Sequence, residues 1–65
     1  MRTRWGDELR IARLRRRESQ ADTGKAIGST GPTVSRAERG LQGSLDVYHR
    51  LASHLGVSLE LGDAS

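Results

Sequence analysis

The chain is 65 residues long, contains no cysteine and carries a net charge of +3. This length allows one small domain that buries only about 60% of its unfolded surface, so we expect a second copy or another partner to add stability. The missing cysteines exclude disulfides and cysteine-based metal sites, as in a protein of the reducing cytoplasm. No signal peptide and no membrane-spanning run of roughly 20 apolar residues is visible.

The positive charge is concentrated in the front of the chain. Residues 1–40 carry ten Lys and Arg against five Asp and Glu, which gives +5, whereas residues 41–65 carry one Arg against three Asp and Glu, which gives −2. A basic region of this kind is typical of a protein that binds a polyanion such as nucleic acid. A solvated basic helix face would show the same charge, so charge alone leaves both interpretations open.

The chain opens with a short arm followed by a helix. Residues 1–4 are predicted to form a loose N-terminal arm, and residues 5–56 a single domain. The first helix is predicted over residues 5–17, because Leu9 and Ala12 share one face at helical spacing. Arginines cover much of the remaining surface of this helix.

A second, shorter helix is predicted over residues 20–27. Ser19 can cap it, and Asp22, three residues later, completes a capping box and places negative charge at the positive helix end. Gly24 is small where another helix must pass close, and Gly28 can end the helix in a left-handed conformation.

The third helix is predicted over residues 31–39, directly after a tight turn. Thr30 can cap this helix, and Pro32 lies in its first turn, where a missing N–H costs nothing. Ile27 and Val34 flank the turn, so they can meet in the angle between two crossed helices. This arrangement is typical of a helix-turn-helix, whose second helix enters the DNA major groove.

The fourth helix is predicted to begin after Ser44 and to end at Gly56. Its apolar stripe is predicted to be core and consists of Leu45, Tyr48, Leu51, Ala52 and Leu55. His49 and His54 are five positions apart, a spacing that does not put two ligands on one helix face. Both are therefore predicted to be surface residues, and no metal site is expected.

The last segment, residues 57–65, begins with an alternation of apolar and polar residues. Val57, Leu59 and Leu61 would lie on one side of a β-strand. A lone strand is not stable, so it would pair with its copy in a second subunit and form a dimerisation segment. The alternative is a short helical turn that packs on the fourth helix.

One known family shares this pattern of residues. Ser19 and Gln20, then Gly28, then the run Thr33-Val34-Ser35-Arg36 followed by Glu38 and Gly40, resemble the Cro/phage-repressor (XRE-type) helix-turn-helix family. The likeness extends over residues 6–61, and the C-terminus is similar to that of HipB-type antitoxins. It implies an all-α, lambda-repressor-like domain of four to five helices, with a short C-terminal β-strand that pairs across a dimer.

The resemblance also implies an ion pair and a weak core. Arg13 would form a partly buried pair with Glu38 and hold the reading helix in place, although both could be ordinary surface charges. Desolvation offsets much of the attraction in such a pair. The family usually has large aliphatic residues where this chain has Glu18, Thr23 and Ala37, and each loses buried apolar area. We therefore expect low intrinsic stability.

The same resemblance implies which residues contact DNA. The expected base-reading residues are Arg36, Thr33, Pro32, Gly31 and Gln20, and the expected phosphate-binding residues are Ser19, Gln20, Thr30, Arg39, Gln42 and Arg15. Arg36 is the sharpest of these predictions, because arginine donates two bonds to guanine O6 and N7; a phosphate contact is its alternative role. The family often has long polar residues where this chain has Gly31 and Pro32, so more specificity is expected from DNA shape.

These features together favour a cytoplasmic, homodimeric regulator that binds a double-stranded DNA operator and represses its own operon. An antitoxin with a possible toxin partner is the preferred class, and a phage or plasmid repressor is the alternative. A protein-interaction module that has lost its operator is the competing interpretation. No residues stand at a spacing usable for catalysis, so neither an enzyme nor a cofactor is predicted.

Overall fold

The computed structural model describes residues 4–41 and 44–58. Within these residues it contains four helices: α1 (Arg4–Arg15), α2 (Gln20–Ala26), α3 (Gly31–Glu38) and α4 (Leu45–Leu55). The order and type of the four predicted helices are confirmed, and each boundary falls within two residues of its predicted position.

The predicted C-terminal strand is absent from the part of the tail that the structure describes. Val57 and Ser58 follow α4 without forming a strand. The reason is local: Gly56 adopts a left-handed conformation with φ of 69°, and the Val57 N–H donates to the carbonyl of Ala52 at 2.9 Å. These bonds use Val57 to close the end of α4. Leu59 and Leu61 lie outside the described residues.

Side-chain caps begin α2 and α3 as the sequence predicts. The Ser19 hydroxyl accepts a hydrogen bond from the Asp22 N–H at 2.9 Å, and the Thr30 hydroxyl accepts one from the Thr33 N–H at 3.4 Å. Each bond satisfies a backbone donor that the helix itself leaves unpaired. Ser44 occupies the N-cap position of α4, but its side chain makes no capping hydrogen bond to that helix.

The core lies where all four helices meet. It is formed by Leu9, Ile27, Val34, Ala37, Tyr48, Leu51, Ala52 and Leu55. The ring of Trp5 packs edge-on against Tyr48, with 5.5 Å between the ring centroids. The core prediction was wrong for Leu45, which is 57% exposed. Leu45 is the first residue of α4, and the core begins to bury this helix only at Tyr48, almost one full turn later.

Two glycines set how closely the helices approach one another. A Cβ atom on Gly24 would lie 2.5 Å from the Thr30 carbonyl oxygen, so α2 and the start of α3 can cross only with glycine there. A Cβ atom on Gly6 would lie 2.9 Å from the Ala37 carbonyl oxygen at the end of α3. These contacts involve backbone atoms that cannot easily move, so they fix α1 and α2 against α3.

Polar side chains replace part of the apolar packing that is usual for the family. Glu18 Oε1 accepts a hydrogen bond from the fully buried Thr23 hydroxyl at 2.7 Å and lies 2.8 Å from His54 Nε2. Arg16 Nε donates to Glu18 Oε2 at 2.9 Å. Hydrogen bonds from His54, Thr23 and Arg16, in that order of size, lower the pKa of Glu18 to about 2. His54 is half-buried here, so the prediction that it is an ordinary surface residue was wrong.

Candidate nucleic-acid interface

Helix α3 has one buried and one exposed face. Val34, Ala37 and Glu38 point into the protein, whereas Pro32, Arg36 and Arg39 are exposed. The exposed face borders a shallow depression whose lining residues are Gln20, Ala21, Gly31, Pro32, Ser35, Arg36 and Arg39. Four of the five residues predicted to read bases are therefore brought together at one surface. We call this surface the reading face.

The fifth predicted base reader, Thr33, is placed differently. It is half-buried and does not line the depression, and its hydroxyl lies 3.0 Å from the hydroxyl of Thr30. Both threonine side chains take part in the cap of α3. Ser19 serves α2 in the same way, so these hydroxyls stand at the two helix N-termini. There, backbone N–H groups and the helix dipole favour a phosphate.

A buried ion pair holds α1 against the end of α3. Arg13 donates from Nε and Nη2 to the two carboxylate oxygens of Glu38, the second of these bonds being 3.2 Å long. Arg13 is 8% exposed and Glu38 is 4% exposed, so the pair is shielded from water. The third guanidinium nitrogen, Nη1, donates to the carbonyl of Glu18 at 2.8 Å. Every nitrogen of this buried cation therefore has a partner.

Gln20 links that ion pair to the reading face. Its side-chain Nε2 donates to Glu38 Oε1 at 3.1 Å. Because a carboxylate paired with arginine can only accept hydrogen bonds, the amide nitrogen of Gln20 must be the atom that faces it. The amide oxygen and one remaining N–H of Gln20 are then left for a ligand. That combination of one acceptor and one donor matches the major-groove edge of adenine.

Arg10 is a residue of this surface that the sequence analysis missed. It is exposed and lines a second depression, beside the first, together with Gln20, Ser35, Glu38 and Arg39. The spacing of α1 contained the signal, because Arg10 stands three residues before Arg13 and so shares the flank that faces α3. With Arg36 and Arg39 it surrounds the reading face with three exposed cations, while Arg13 neutralises the nearby Glu38.

Arg15 was predicted to bind phosphate but lies elsewhere. It lines a groove with Glu8, Ile11, Ala12 and Val57. It is five positions from Arg10 in α1, which places the two side chains roughly 140° apart around the helix axis. Its position therefore lends no support to a phosphate role. Gln42, another predicted phosphate contact, lies outside the described residues.

The comparisons with known proteins bear directly on this arrangement. A family model described as a helix-turn-helix domain matches residues 4–64, which is nearly the whole chain. The chain belongs to the helix-turn-helix domain family. No curated protein and no solved structure matched it.

Membership of the helix-turn-helix domain family indicates a DNA-binding regulator, but it does not support the antitoxin type, the homodimer or the self-repression predicted from the sequence. Such DNA-binding domains are typically not enzymes. The match agrees with the XRE-type resemblance, but it does not support a HipB-type C-terminus. None of the four described helices is long and apolar enough to cross a membrane.

Proposed function

We propose that this helix-turn-helix domain is a sequence-specific transcriptional regulator that binds double-stranded DNA with α3 in the major groove. The reading face supports this proposal most strongly, because Gln20 and Arg36 stand on one exposed surface between α2 and α3. The exposed cations Arg10 and Arg39 border the same surface and suit the flanking phosphates.

Each side chain of the reading face suggests a separate role. Arg36 would donate two hydrogen bonds to guanine O6 and N7. Gln20, held by Glu38, would offer its amide oxygen and one N–H to an adenine. Gly31 and Pro32 have no side-chain donor or acceptor, so they would let the backbone approach closely and leave part of the specificity to DNA shape.

The phosphate contacts would come from the rim of the reading face. Arg10 and Arg39 supply positive charge there, and the helix N-termini capped by Ser19 and Thr30 supply backbone N–H groups. Contacts of this kind fix the position of the protein on the duplex without reading its sequence. The N-terminal half of the chain, with its charge of +5, would also speed the approach to DNA.

The biological setting follows from the resemblance described above. The regulator would act in the cytoplasm as a homodimer on a pseudo-palindromic operator and would repress its own operon, with Val57, Leu59 and Leu61 in the dimer interface. An antitoxin of HipB type with a toxin partner is the preferred class. A phage or plasmid repressor is the alternative within the same fold.

A second candidate function rests on two residues of the reading face. Gly31 and Pro32 occupy positions where a direct reader would present long polar groups, and this favours a protein-interaction module that keeps the fold without an operator. Such a module would bind its partner in a manner insensitive to salt and independent of duplex DNA. The two functions therefore differ in a measurable way.

Binding to the duplex upstream of the reading frame, compared with a scrambled duplex over a series of salt concentrations, tests the proposal. A preference of about a thousandfold that survives near-physiological salt supports a specific operator binder. Arg36→Ala should reduce that preference, whereas Arg36→Lys should keep much of the phosphate affinity but lose bidentate recognition. Equal, steeply salt-dependent binding to both duplexes would show that only the basic surface acts.

A further inference from the structure

A groove on the outer side of α1 has no part in the proposed DNA contacts. Its lining residues are Glu8, Ile11, Ala12, Arg15 and Val57. The floor is apolar, and Ile11 is 48% exposed, so the groove presents a large aliphatic side chain to solvent. An acidic and a basic residue stand at opposite ends. We call this surface the α1 groove.

The two charged residues of the α1 groove are arranged symmetrically around its apolar centre. Glu8 precedes Ile11 by three positions and Arg15 follows it by four, so Glu8 and Arg15 lie two helical turns apart on one face, separated by roughly 10 Å along the axis. Both side chains are accessible: Glu8 is 42% exposed and has only a long contact of 3.9 Å with Arg4, and Arg15 is exposed.

We propose that the α1 groove binds the same groove of a second copy of this chain, with the two α1 helices antiparallel about a two-fold axis. In that register, the residue numbers of two facing residues add up to 23. Glu8 then meets the partner's Arg15, Arg15 meets the partner's Glu8, and Ile11 packs on the partner's Ala12. A two-fold interface must be self-complementary, and a surface with opposite charges at its two ends fulfils that condition.

This inference deepens the homodimer that forms part of the proposed function, and it rests on that proposal. One pair of crossed helices buries less than the roughly 1,200 Å² that a stable interface needs. Val57 lines the α1 groove, and the chain continues from there into Leu59 and Leu61. Val57, the first residue of the proposed dimerisation segment, therefore lies at the same surface, and we expect pairing through the described residues alone to be weak and concentration-dependent.

The α1 groove does not overlap the surface proposed to bind DNA. Arg10 stands on the flank of α1 that borders the reading face, and Arg15 stands roughly 140° away on the flank of the groove. Pairing through the groove would therefore leave the reading faces of both subunits accessible. A pairing that used the Arg10 flank would cover part of the DNA contact.

Sedimentation equilibrium of charge-reversal variants provides the decisive test of this pairing. Glu8→Arg leaves a positive side chain at both ends of the groove, and Arg15→Glu leaves a negative side chain at both ends. Like charges then face each other in the dimer, so each variant alone should dissociate at concentrations where the wild type is dimeric. The dimer dissociation constant should rise about tenfold in each case. An equimolar mixture of the two variants restores both opposite-charge contacts and should form a heterodimer. This restoration cannot come from misfolded protein.

A matched pair of apolar substitutions tests the centre of the groove. Ile11 and Leu14 lie on α1 and are each 48% exposed, but only Ile11 lines the groove. Ile11→Gln should weaken the dimer, and Leu14→Gln should not.

The results of these experiments distinguish failure of the α1 pairing from failure of the proposed function. A wild-type dimer that is unaffected by both charge reversals overturns the α1 pairing but keeps the homodimer. A wild-type monomer at all concentrations overturns both the pairing and the homodimer, whereas the operator-binding experiment judges DNA recognition independently. A dimer lost in each single variant and regained in the mixture establishes the pairing.

Discussion

Arg13 and Glu38 are 25 positions apart in the chain, yet their side chains meet in a bidentate ion pair that is almost completely buried. The pair fastens α1 to the last turn of the helix that carries the reading face. Because Gln20 also bonds to Glu38, the same carboxylate influences one of the proposed base contacts. Stability and recognition are thus connected through a single side chain.

Removing one member of this pair should destabilise the domain strongly. Arg13→Met leaves a buried carboxylate without its cation, and we expect a loss of about 3–5 kcal/mol in the free energy of unfolding, enough to unfold much of the protein. Urea denaturation followed by circular dichroism measures the change. Asp46→Ala, which removes an exposed ion pair with Arg50, is the control and should cost at most about 1 kcal/mol.

A double variant distinguishes pairing from simple packing. In Arg13→Met combined with Glu38→Leu no charge is left unpaired, so the double variant should be more stable than the Arg13→Met single variant. Losses that simply add would contradict a direct interaction between the two side chains.

Gln20 offers a test of recognition that follows from its bond to Glu38. Gln20→Met keeps the size of the side chain but removes the amide, so it should abolish a preference for adenine at one position of the operator half-site. The expected discrimination at that position is about 1–3 kcal/mol. Selection from duplexes randomised at each position measures it for both proteins. Uniform weakening across all sequences would show instead that Gln20 contacts only phosphate.

The arginines of α1 provide a third prediction, which concerns the salt dependence of DNA binding. It is measured on a duplex that contains one half-site. Arg10→Ala should reduce the slope of log affinity against log salt concentration by about 1, because one phosphate contact is lost. Arg15→Ala should leave that slope unchanged, since Arg15 lies on the opposite flank. Fluorescence anisotropy with labelled duplex measures both slopes, and the half-site removes any contribution from dimerisation. The reverse result would favour the role assigned to Arg15 by resemblance alone.

These two arginines show which features of the structure could be predicted from the sequence and which could not. The helices, their caps at Ser19 and Thr30, and the close approach at Gly24 could be predicted because each depends on residues near one another in the chain. Which flank of α1 faces α3 depends on how the helix is rotated against its neighbour. Local periodicity does not reveal that rotation; only the predicted pairing of Arg13 with Glu38 pointed to it, and that signal was not extended to Arg10, three residues earlier on the same flank.

The cluster around Glu18 was missed for a related reason. Glu18 and His54 are 36 positions apart, and each alone looks like an ordinary polar surface residue. The sequence alone identified Glu18 and Thr23 only as positions of lost apolar area. It could not show that the two side chains bond to each other and to α4. Leu45 shows the opposite error, because it was predicted to be buried but is exposed. It is in register with the apolar stripe of α4 but lies at the beginning of that helix.

The low pKa of Glu18 predicts how stability depends on pH in the acid range. Its folded-state pKa of about 2 lies below the ordinary value of 4.5, chiefly because His54, Thr23 and Arg16 hydrogen-bond to the carboxylate. The stabilisation is therefore complete above about pH 4.5 and is lost as the pH falls towards 2. Glu18→Gln should be less stable than the wild type at neutral pH, and the difference should shrink through that range.

Urea denaturation of both proteins between pH 2 and pH 7 measures this difference. Since the other carboxylates titrate in both proteins, the comparison isolates the contribution of Glu18. His54→Gln is the matched variant, because it alters the largest cause of the low pKa while leaving Glu18 in place. In that variant the loss should again begin near pH 4.5, the unfolded-state value, but it should be smaller and should be complete at a higher pH than in the wild type, because the folded-state pKa of Glu18 is raised. A difference between wild type and Glu18→Gln that stays constant over the whole range would show that the carboxylate is not stabilised by these three partners.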